Sequence, residues 1–561
     1  MKEINFFALG GIGENGKNFY LLKVDSSYFI LDAGLKNPNV VSNGIDCVIP
    51  DYHRLESIKE QIKGIFITSA FETHSGALPY MMDYLEDIPV YASDFTIEVL
   101  KINLYQNNVN THNVEFRAVQ DKSVIDFGNT KAHFFGISHF LPETLGVAFE
   151  TSQGLIVYIS EMHFVQSKDV NFQTNFAHLS ELSQKEVLAL VPASQGAFSI
   201  ITQKKEEILE YYLSSYFASI ENNIIISFLV PDLLKIQLAI DLALEANLKV
   251  VILGRKSEKI IDVALQKNYL KIPAKSLINL KTSTDYLKYK NLVVIVVGKR
   301  FEPFYRLQRM CKQTDRLMKL HPKDKILLLS IEATGVDKIQ NKTVDILARK
   351  GFIVDVLEKD LLKSSSYNYE ENFKLMLHLL KPNFLMPVAG EYRHQCQIKK
   401  NAQKFNYPNN KIFLLENGDV WNYDFKNKPY VKKNFFKNLG EILIDGRTPV
   451  LEGNDFILKD RELLANDGVI IIVCNLDLKA REIVGNVELI SKGFLNKSNT
   501  DAIFEKLKDL FAKISKGFLM INKQVKWSDF KNNLREDLSK FIYKETKKKP
   551  VVIPVLISIS R

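Results

Sequence analysis

Short apolar runs separated by tight turns fill the first part of the chain. Runs at residues 4–9, 19–24 and 28–31 follow one another closely, with a turn at Asp25, Ser26 and Ser27 between the last two. Closely spaced strands joined by tight turns are typical of an antiparallel sheet. The series continues at 65–68, 90–92, 132–135, 147–150 and 156–159, with helical patterns such as 75–84 in between. This alternation predicts a sandwich of sheets and helices.

A different pattern begins near residue 205. Continuous apolar runs at 224–228, 250–253, 292–297 and 326–330 are separated by helices such as 231–246. Runs of this kind are typical of parallel strands that are buried on both faces. We therefore predict a separate α/β unit, after which the first pattern returns beyond about residue 352. A polar, lysine-rich connection at 423–438 precedes the last unit.

The last unit combines amphipathic helices with apolar strands. Its first helix, predicted at 501–515, places five apolar side chains on one face, with Thr500 as N-cap and Gly517 as the stop: Ile503, Leu507, Leu510, Phe511 and Ile514. A second helix is predicted at 527–543, and strands at 469–474 and 551–557. Together these elements indicate a small α/β domain.

Length, charge and cysteine content narrow the class of protein. The 561 residues allow several domains. The apolar runs are far shorter than the roughly 20 residues that span a bilayer, and the first residues lack the pattern of a signal peptide. Four widely spaced cysteines form no CxxC pair, which argues against a zinc knuckle and a disulfide framework. We expect a cytoplasmic protein without a membrane partner, and the net charge of +9 permits a polyanionic partner without requiring one.

Long motifs occur along the chain in a fixed order. They are ALGGIGENGKN (8–18), ILDAGL (30–35), GIDCVIPDY (44–52), GIFIT (64–68), SQGLIVY (152–158), KLMLHLLKPNF (374–384), MPVAGEYR (386–393) and KDRELLANDGVIIIV (459–473). This ordered set resembles ribonuclease J from residue 3 to about residue 557. The glycine loop alone would be weak evidence, because most such loops are turns without a ligand.

The resemblance implies a fold class and a set of domains. The fold is α/β: a metallo-β-lactamase αββα sandwich with an inserted β-CASP α/β domain and a small C-terminal α/β domain. Residues 1–204 and 352–422 would form the two parts of the sandwich, and 205–351 the β-CASP domain. Residues 423–440 would be a linker, and 441–561 a C-terminal oligomerisation domain.

The family's metal ligands are largely missing from this chain. Metal-assisted phosphodiester hydrolysis uses bound cations to activate water, and zinc takes His nitrogens and carboxylate oxygens as ligands. The family holds two zinc ions through a His-x-His-x-Asp-His motif and later His and Asp residues. Ser69, Phe71 and Thr73 stand where the motif has His, His and Asp, and Ala389 replaces the final His.

Three potential metal ligands remain, namely His74, His139 and Glu161. The resemblance divides them between the two metals, so we expect no catalytic zinc. The alternative is a residual zinc site with a recruited side chain, for which the candidates are Glu72, His133 and His163. Without a metal, His74 and His139 would be polar residues hydrogen-bonded in a closed cleft. Asp32 matches the family's buried aspartate beside the metals.

The phosphate-binding positions are also altered. Tyr367 stands where the family has a catalytic His, and Ala193 where it has an acidic residue. The neighbouring serines and a basic loop are candidates for RNA or phosphate binding: Ser364, Ser365, Ser366, Lys299 and Arg300. Hydroxyl and cationic groups suit phosphate contacts, but a serine triplet is more often a solvated loop, and the basic loop is equally typical of an exposed loop without a ligand.

Three functions follow from these substitutions. The leading hypothesis is a catalytically impaired ribonuclease J-like subunit that binds RNA and pairs with an active paralogue in RNA processing and decay. The second is a weak metal-dependent 5′-3′ exoribonuclease or endoribonuclease that uses the remaining ligands. The third is a structural regulator of the paralogue that never contacts RNA.

Overall fold

The structure is a computed structural model that describes residues 3–38, 44–162, 164, 167–198, 206–218, 221–254, 258–280, 289, 291–298, 301–329, 336–357, 369–424, 428–437, 439–450, 455–477, 480, 482–494, 497–521 and 527–559. The described residues form two compact units, the first within Met1–Val40 and Asp46–Pro449 and the second within Val41–Ile45 and Val450–Arg561. No helix in these ranges is both long and apolar enough to cross a bilayer.

An eight-stranded sheet forms one inner layer of the first unit. In sheet order its strands are β20 (Tyr430–Lys432), β19 (Val420–Asp424), β1 (Glu3–Gly10), β2 (Phe19–Val24), β3 (Ser27–Leu31), β5 (Ile62–Phe66), β6 (Val90–Ala92) and β7 (Phe116–Ala118). Strands β1, β2 and β3 pair antiparallel, as their spacing predicts, and Asp25 makes the tight turn at a φ of 55°. The chain then continues through parallel pairs to β7.

A six-stranded sheet forms the other inner layer. Its order is β18 (Phe384–Leu385), β12 (Val187–Pro192), β11 (Gly154–Ile159), β10 (Leu145–Thr151), β9 (Lys131–Gly136) and β8 (Val124–Asp126). Apolar side chains from both sheets, such as Phe29 and Phe149, pack in one core between them. The outer faces are covered by helices α2 (Leu78–Leu85) and α3 (Asp94–Gln106) on the first sheet, and α4 (Phe176–Leu182), α10 (Tyr369–Leu380) and α11 (Tyr392–Lys404) on the second. This confirms the αββα sandwich.

The inserted unit is a five-stranded sheet whose strands all run parallel. Its order is β14 (Lys249–Leu253), β15 (Leu292–Val297), β13 (Ile224–Phe228), β16 (Lys325–Leu329) and β17 (Ile353–Leu357). Its helices are α5 (Glu206–Ala218), α6 (Leu233–Glu245), α7 (Glu258–Gln266), α8 (Glu302–Cys311) and α9 (Val336–Ala348). One apolar core joins this unit to the sandwich, because Phe95 and Leu141 cluster with Leu233.

A small sheet and a short helix complete the first unit. Strand β4 (Cys47–Pro50) pairs with β21 (Glu441–Asp445), which is followed by β22 (Thr448–Val450). Helix α1 (Glu72–Ser75) follows β5, and a 3-10 helix covers Tyr52–Gln61. Strand β21 thus lies within the range that the sequence assigns to the C-terminal domain. The proposed domain boundaries otherwise stay predictions.

The second unit packs two long helices on one face of a three-stranded sheet. The strands, in order, are β24 (Glu482–Lys492), β23 (Val469–Asp477) and β25 (Val551–Ile559), and the helices are α12 (Asp455–Asp467), α13 (Lys497–Ile521) and α14 (Trp527–Thr546). The sequence predicted β23, β25 and both long helices but not β24. It was wrong on the limits of α13, since Thr500 and Gly517 both lie inside the helix. Phe518 and Leu519, which follow Gly517, pack in the core of the second unit. Their burial stabilises the continuation of the helix past Gly517.

Candidate functional site

A buried carboxylate, that of Asp32, organises the candidate site. Asp32 follows the last residue of β3 with a φ of 60°, and its side chain has no exposed surface. The backbone N–H and hydroxyl of Thr68 donate to Oδ1 at 2.9 and 2.8 Å. The Tyr158 hydroxyl donates to Oδ2 at 2.6 Å, since burial and the negative charge of Asp32 raise the pKa of this phenol and keep it protonated. The adjacent strands β3 and β5 are parallel, so their ends bring Asp32 and Thr68 to the same sheet edge.

His74 lies between two carboxylates. Its Nδ1 is 2.7 Å from Oδ2 of Asp32, and its Nε2 is 3.2 Å from Oε1 of Glu161. Burial lowers the pKa of His74, but the charge and hydrogen bond of Asp32, together with those of Glu161, outweigh burial and raise it from 6.5 to about 10. His74 is therefore an imidazolium whose two nitrogens both donate. An imidazolium has no lone pair with which to bind a metal.

His139 faces the same glutamate. Its Nε2 is 3.7 Å from Oε1 of Glu161, while its Nδ1 accepts the backbone N–H of Leu141 at 3.2 Å. A neutral imidazole that accepts at Nδ1 carries its proton on Nε2. The nitrogen that faces Glu161 is thus a donor. The structure brings the three remaining ligand candidates together, with the protons of both histidines pointing at one carboxylate.

Apolar and hydroxyl side chains occupy the positions where the resemblance predicts lost metal ligands. Ser69 is fully buried, and its Oγ accepts from the N–H of Phe71 and from the Thr144 hydroxyl, both at 3.3 Å. The Phe71 ring lies 6.1 Å from the His139 ring and packs on the core that joins the sandwich to the inserted unit. Thr73 contributes its backbone carbonyl, which accepts the Asn18 N–H at 3.2 Å.

Ala389 is buried and has a left-handed backbone, with a φ of 51°. Its N–H donates to the Tyr20 hydroxyl at 3.1 Å, and the Ser194 hydroxyl donates to its carbonyl. The Tyr20 ring lies 5.8 Å from that of Tyr158, which binds Asp32. Ala389, which has no imidazole, is therefore linked to Asp32 through Tyr20 and Tyr158.

The remaining candidate residues for metal or phosphate binding either contact other side chains or lie outside the described residues. Oε1 of Glu72 accepts from Asn37 Nδ2 at 3.2 Å, and Nε2 of His133 lies 2.7 Å from Oε2 of Glu150 on the neighbouring strand. Seven candidate residues fall outside the described part of the chain: His163, Lys299, Arg300, Ser364, Ser365, Ser366 and Tyr367. Their assignments stay predictions.

Sequence reasoning missed the hydroxyl groups that surround Asp32. Thr68 ends the motif GIFIT, and Tyr158 ends the motif SQGLIVY. Both stand at or just beyond the strands whose ends meet at the site. A polar residue at the end of each of two apolar strands was the available signal.

The glycine loop between β1 and β2 is fastened by ion pairs. Oε1 of Glu14 accepts the N–H of Gly11 at 3.1 Å and lies 3.1 Å from Nζ of Lys17, while Oε2 lies 2.5 Å from Nζ of Lys36. Both lysines also contact Glu441, at 2.6 and 2.7 Å. Burial raises the pKa of Glu441, but these two cations outweigh it and lower the value to about 2. These contacts account for the conformation of the glycine loop by interactions within the protein.

Two zinc ions do not fit the side chains at this site. Zinc needs nitrogen and carboxylate donors, and the side chains of Ser69, Phe71, Thr73 and Ala389 offer neither at the positions where the resemblance places metal ligands. Within the described ranges, no three or more His, Cys, Asp or Glu side chains are grouped so as to hold a metal ion. The cluster instead forms a buried hydrogen-bonded charge network.

Comparison with known proteins identifies the family. A family model described as "Ribonuclease J, beta-CASP domain" matches residues 221–347, and one described as "Ribonuclease J C-terminal domain" matches residues 456–559. A curated protein named "Ribonuclease J 2" from Staphylococcus aureus strain MRSA252 is 33% identical over 558 residues, covering 100% of this chain and 99% of its own. A protein of the same name from Staphylococcus saprophyticus is also 33% identical over the same coverage.

One solved structure, titled "Crystal Structure of a Protein of Unknown Function from Enterococcus faecalis V583", covers 74% of this chain at 15% identity and a TM-score of 0.48, too distant a likeness to bear on fold or function. The end-to-end identity with the curated relatives and the two domain matches agree with the order of motifs along the chain. The chain belongs to the ribonuclease J family.

Proposed function

We propose that this chain is a catalytically impaired ribonuclease J subunit that binds RNA and pairs with an active paralogue. The observation that carries the proposal is the buried His74 imidazolium held between Asp32 and Glu161, where the family has a metal ligand. The phenyl ring of Phe71 and the methyl group of Ala389 supply no donor to the cations that would activate water. The chain nevertheless aligns with its curated relatives from end to end and matches both family models.

An apolar face of the second unit supports oligomer formation. Strand alternation in β25 turns Val552 toward the helices and leaves three apolar side chains on the opposite face 37–47% exposed: Ile553, Val555 and Ile557. Ile553 pairs with Ile471, which pairs with Ile490 on the next strand, so an apolar row crosses the whole sheet. Exposed apolar patches of this kind are typical of protein interfaces.

RNA binding is supported by charge and by family. The net charge of +9 permits a polyanionic partner, and the family acts on RNA. The curated relatives that align end to end with this chain are named "Ribonuclease J 2". We infer from this name that the chain corresponds to a second paralogue rather than to a sole nuclease.

Metal analysis of protein purified without chelator tests the loss of catalysis. We expect well below about one zinc or manganese ion per chain and no turnover of 5′-monophosphorylated RNA. A residual nuclease is the alternative, and the observation that favours it is the convergence of His74, His139 and Glu161. Stoichiometric metal together with turnover that a chelator abolishes would establish that alternative.

Co-purification and RNA binding test the rest of the proposal. We expect the chain to co-purify with its active paralogue and to bind RNA at moderate salt. Ile553→Lys should disrupt the association, because it places a charge on the apolar row. Leu375→Lys is the matched control, since Leu375 is 46% exposed on α10 of the first unit. Association with the paralogue without RNA binding would support the hypothesis of a structural regulator. If the chain neither co-purified with the paralogue nor bound RNA, the proposal would be refuted.

A further inference from the structure

A lysine-rich segment ends helix α14 and continues beyond it. Residues 540–549 read KFIYKETKKK, five lysines against one glutamate. Lys540, Lys544, Lys547 and Lys549 are exposed. Cations near a helix C-terminus stabilise its dipole, but that effect fades beyond the last turn. Lys547 and Lys549 follow the helix end at Thr546, and their ammonium groups reach back over the ring of Tyr543 in the last turn.

Two of these lysines contact one exposed aromatic ring. Nζ of Lys549 lies 5.0 Å and Nζ of Lys547 lies 5.5 Å from the centroid of the Tyr543 ring. The Tyr543 side chain is 44% exposed. Each contact is a cation–π interaction, which holds an extended lysine against the ring. The result is an exposed aromatic ring with two ammonium groups held over it.

The neighbouring carboxylates are engaged with other groups. Glu545 pairs with Lys506 at 3.0 Å, and Oδ2 of Asp467 accepts the backbone N–H of Lys549 at 2.7 Å. In the described part of the chain, no carboxylate lies within ion-pair distance of the Lys547 or Lys549 ammonium. Two like charges held at one ring repel each other, and an anion between them removes that repulsion.

We propose that Tyr543, Lys547 and Lys549 form a binding site for single-stranded RNA. A base displaces a lysine from the face of the tyrosine ring and stacks there, and the two lysines contact the flanking phosphates. An exposed ring among cations is the combination that single-stranded nucleic acid uses, since every base has a face to stack and a charged backbone beside it. The inference rests on the proposed RNA binding of this chain and assigns part of it to the second unit.

Anisotropy of a labelled single-stranded oligoribonucleotide, titrated with the whole chain at several salt concentrations, tests the site. Tyr543→Ala should weaken binding by roughly 5- to 100-fold, whereas Tyr543→Phe should bind like the unaltered protein, because the ring is kept. The double variant Lys547→Ala with Lys549→Ala should reduce the slope of log K against log salt by about 1.4, since each phosphate contact on a single strand contributes about 0.7.

A charge-matched control separates the site from a general loss of positive charge. Lys101 and Lys131 are paired with Glu98 at 2.9 Å and Asp126 at 3.5 Å in the first unit. Substituting both by Ala removes the same charge and should leave the salt slope unchanged. Equal losses of slope in the two double variants would overturn the proposal.

Photo-crosslinking of the unaltered chain to RNA, followed by peptide mass spectrometry, keeps the test independent of variant folding. We expect an adduct on the peptide that contains Tyr543. If the chain binds RNA but gives no adduct on that peptide, and Tyr543→Ala binds with unchanged affinity, the proposed site is refuted while the proposed function stands. A chain that binds no RNA at all overturns both, and binding to phosphatidylserine vesicles instead would assign the lysines to a lipid surface.

Discussion

Replacing His74 by Gln should remove a buried cation on which two carboxylates depend. In the unaltered protein the imidazolium donates to Asp32 at 2.7 Å and to Glu161 at 3.2 Å. Glutamine preserves much of the volume but carries no charge, so both carboxylates lose their buried partner. Removing one member of a buried ion pair costs about 3–5 kcal/mol. We expect a loss of this size near neutral pH.

The size of the loss should depend on pH in a defined direction. The pKa of His74 is about 10 in the folded protein against 6.5 ordinarily, so between these values the folded state holds a proton that the unfolded state has released. The stabilisation is therefore present in full below about pH 6.5 and is lost as the pH rises toward 10. The slope is about 1.4 kcal/mol per pH unit. The difference between His74→Gln and the unaltered protein should shrink accordingly.

Urea unfolding followed by tryptophan fluorescence measures this difference. The chain has two tryptophans, of which Trp421 is buried in the first unit and Trp527 begins α14 of the second. A Trp527→Phe background therefore leaves Trp421 as the reporter for the unit that contains His74. His53→Gln is the control, because the His53 side chain is 50% exposed and pairs with Asp51 at 3.1 Å, so its loss should cost less than about 1 kcal/mol.

Two outcomes would refute the reasoning about His74. Unfolding curves whose separation stays constant from about pH 6 to about pH 9 would show that His74 carries no extra proton in the folded state. Stabilisation of the unaltered chain by added zinc, lost in His74→Gln, would show instead that the imidazole binds metal.

Further predictions concern the lost ligands and two glycines. Restoring the family's side chains should raise bound zinc to about one ion per chain or more by elemental analysis; the four substitutions are Ser69→His, Phe71→His, Thr73→Asp and Ala389→His. Gly34→Ala should lower the stability of the first unit by at least about 1–3 kcal/mol by Trp421 fluorescence, because a Cβ there would lie 1.7 Å from the Thr73 carbonyl oxygen. Gly517→Ala should slow hydrogen exchange across α13 through a gain of about 0.5–1 kcal/mol, since nothing lies within 4 Å of the added carbon; faster exchange would contradict this.

The sequence predicted strands well where apolar runs are bounded by turns. Strands β2, β6, β13 and β15 have the predicted limits, because turn residues and burial act locally and are visible in the sequence. It failed at Gly517, where the local preference for a helix end is overridden by burial of Phe518 and Leu519. It also missed β24, because Gly485 and Asn486 interrupt its alternation and none of its residues is fully buried.

The candidate site was predicted only in part, for a physical reason. The motifs indicated that His74, His139 and Glu161 would lie close together, and the structure brings them together. Their protonation could not be derived from residue identity, because it depends on the distances among His74, Asp32 and Glu161. The tautomer of His139 likewise depends on the backbone N–H of Leu141, which no motif specifies.

The packing of Phe71 has a consequence for how this lineage can change. Its ring belongs to the apolar core that joins the sandwich to the inserted unit, beside Phe140 and Leu141. A return to His at this position would give up that packing before the other ligands were present to bind a metal. Building a metal site by one substitution at a time would thus pass through less stable proteins, so the packing of the phenyl ring opposes that path.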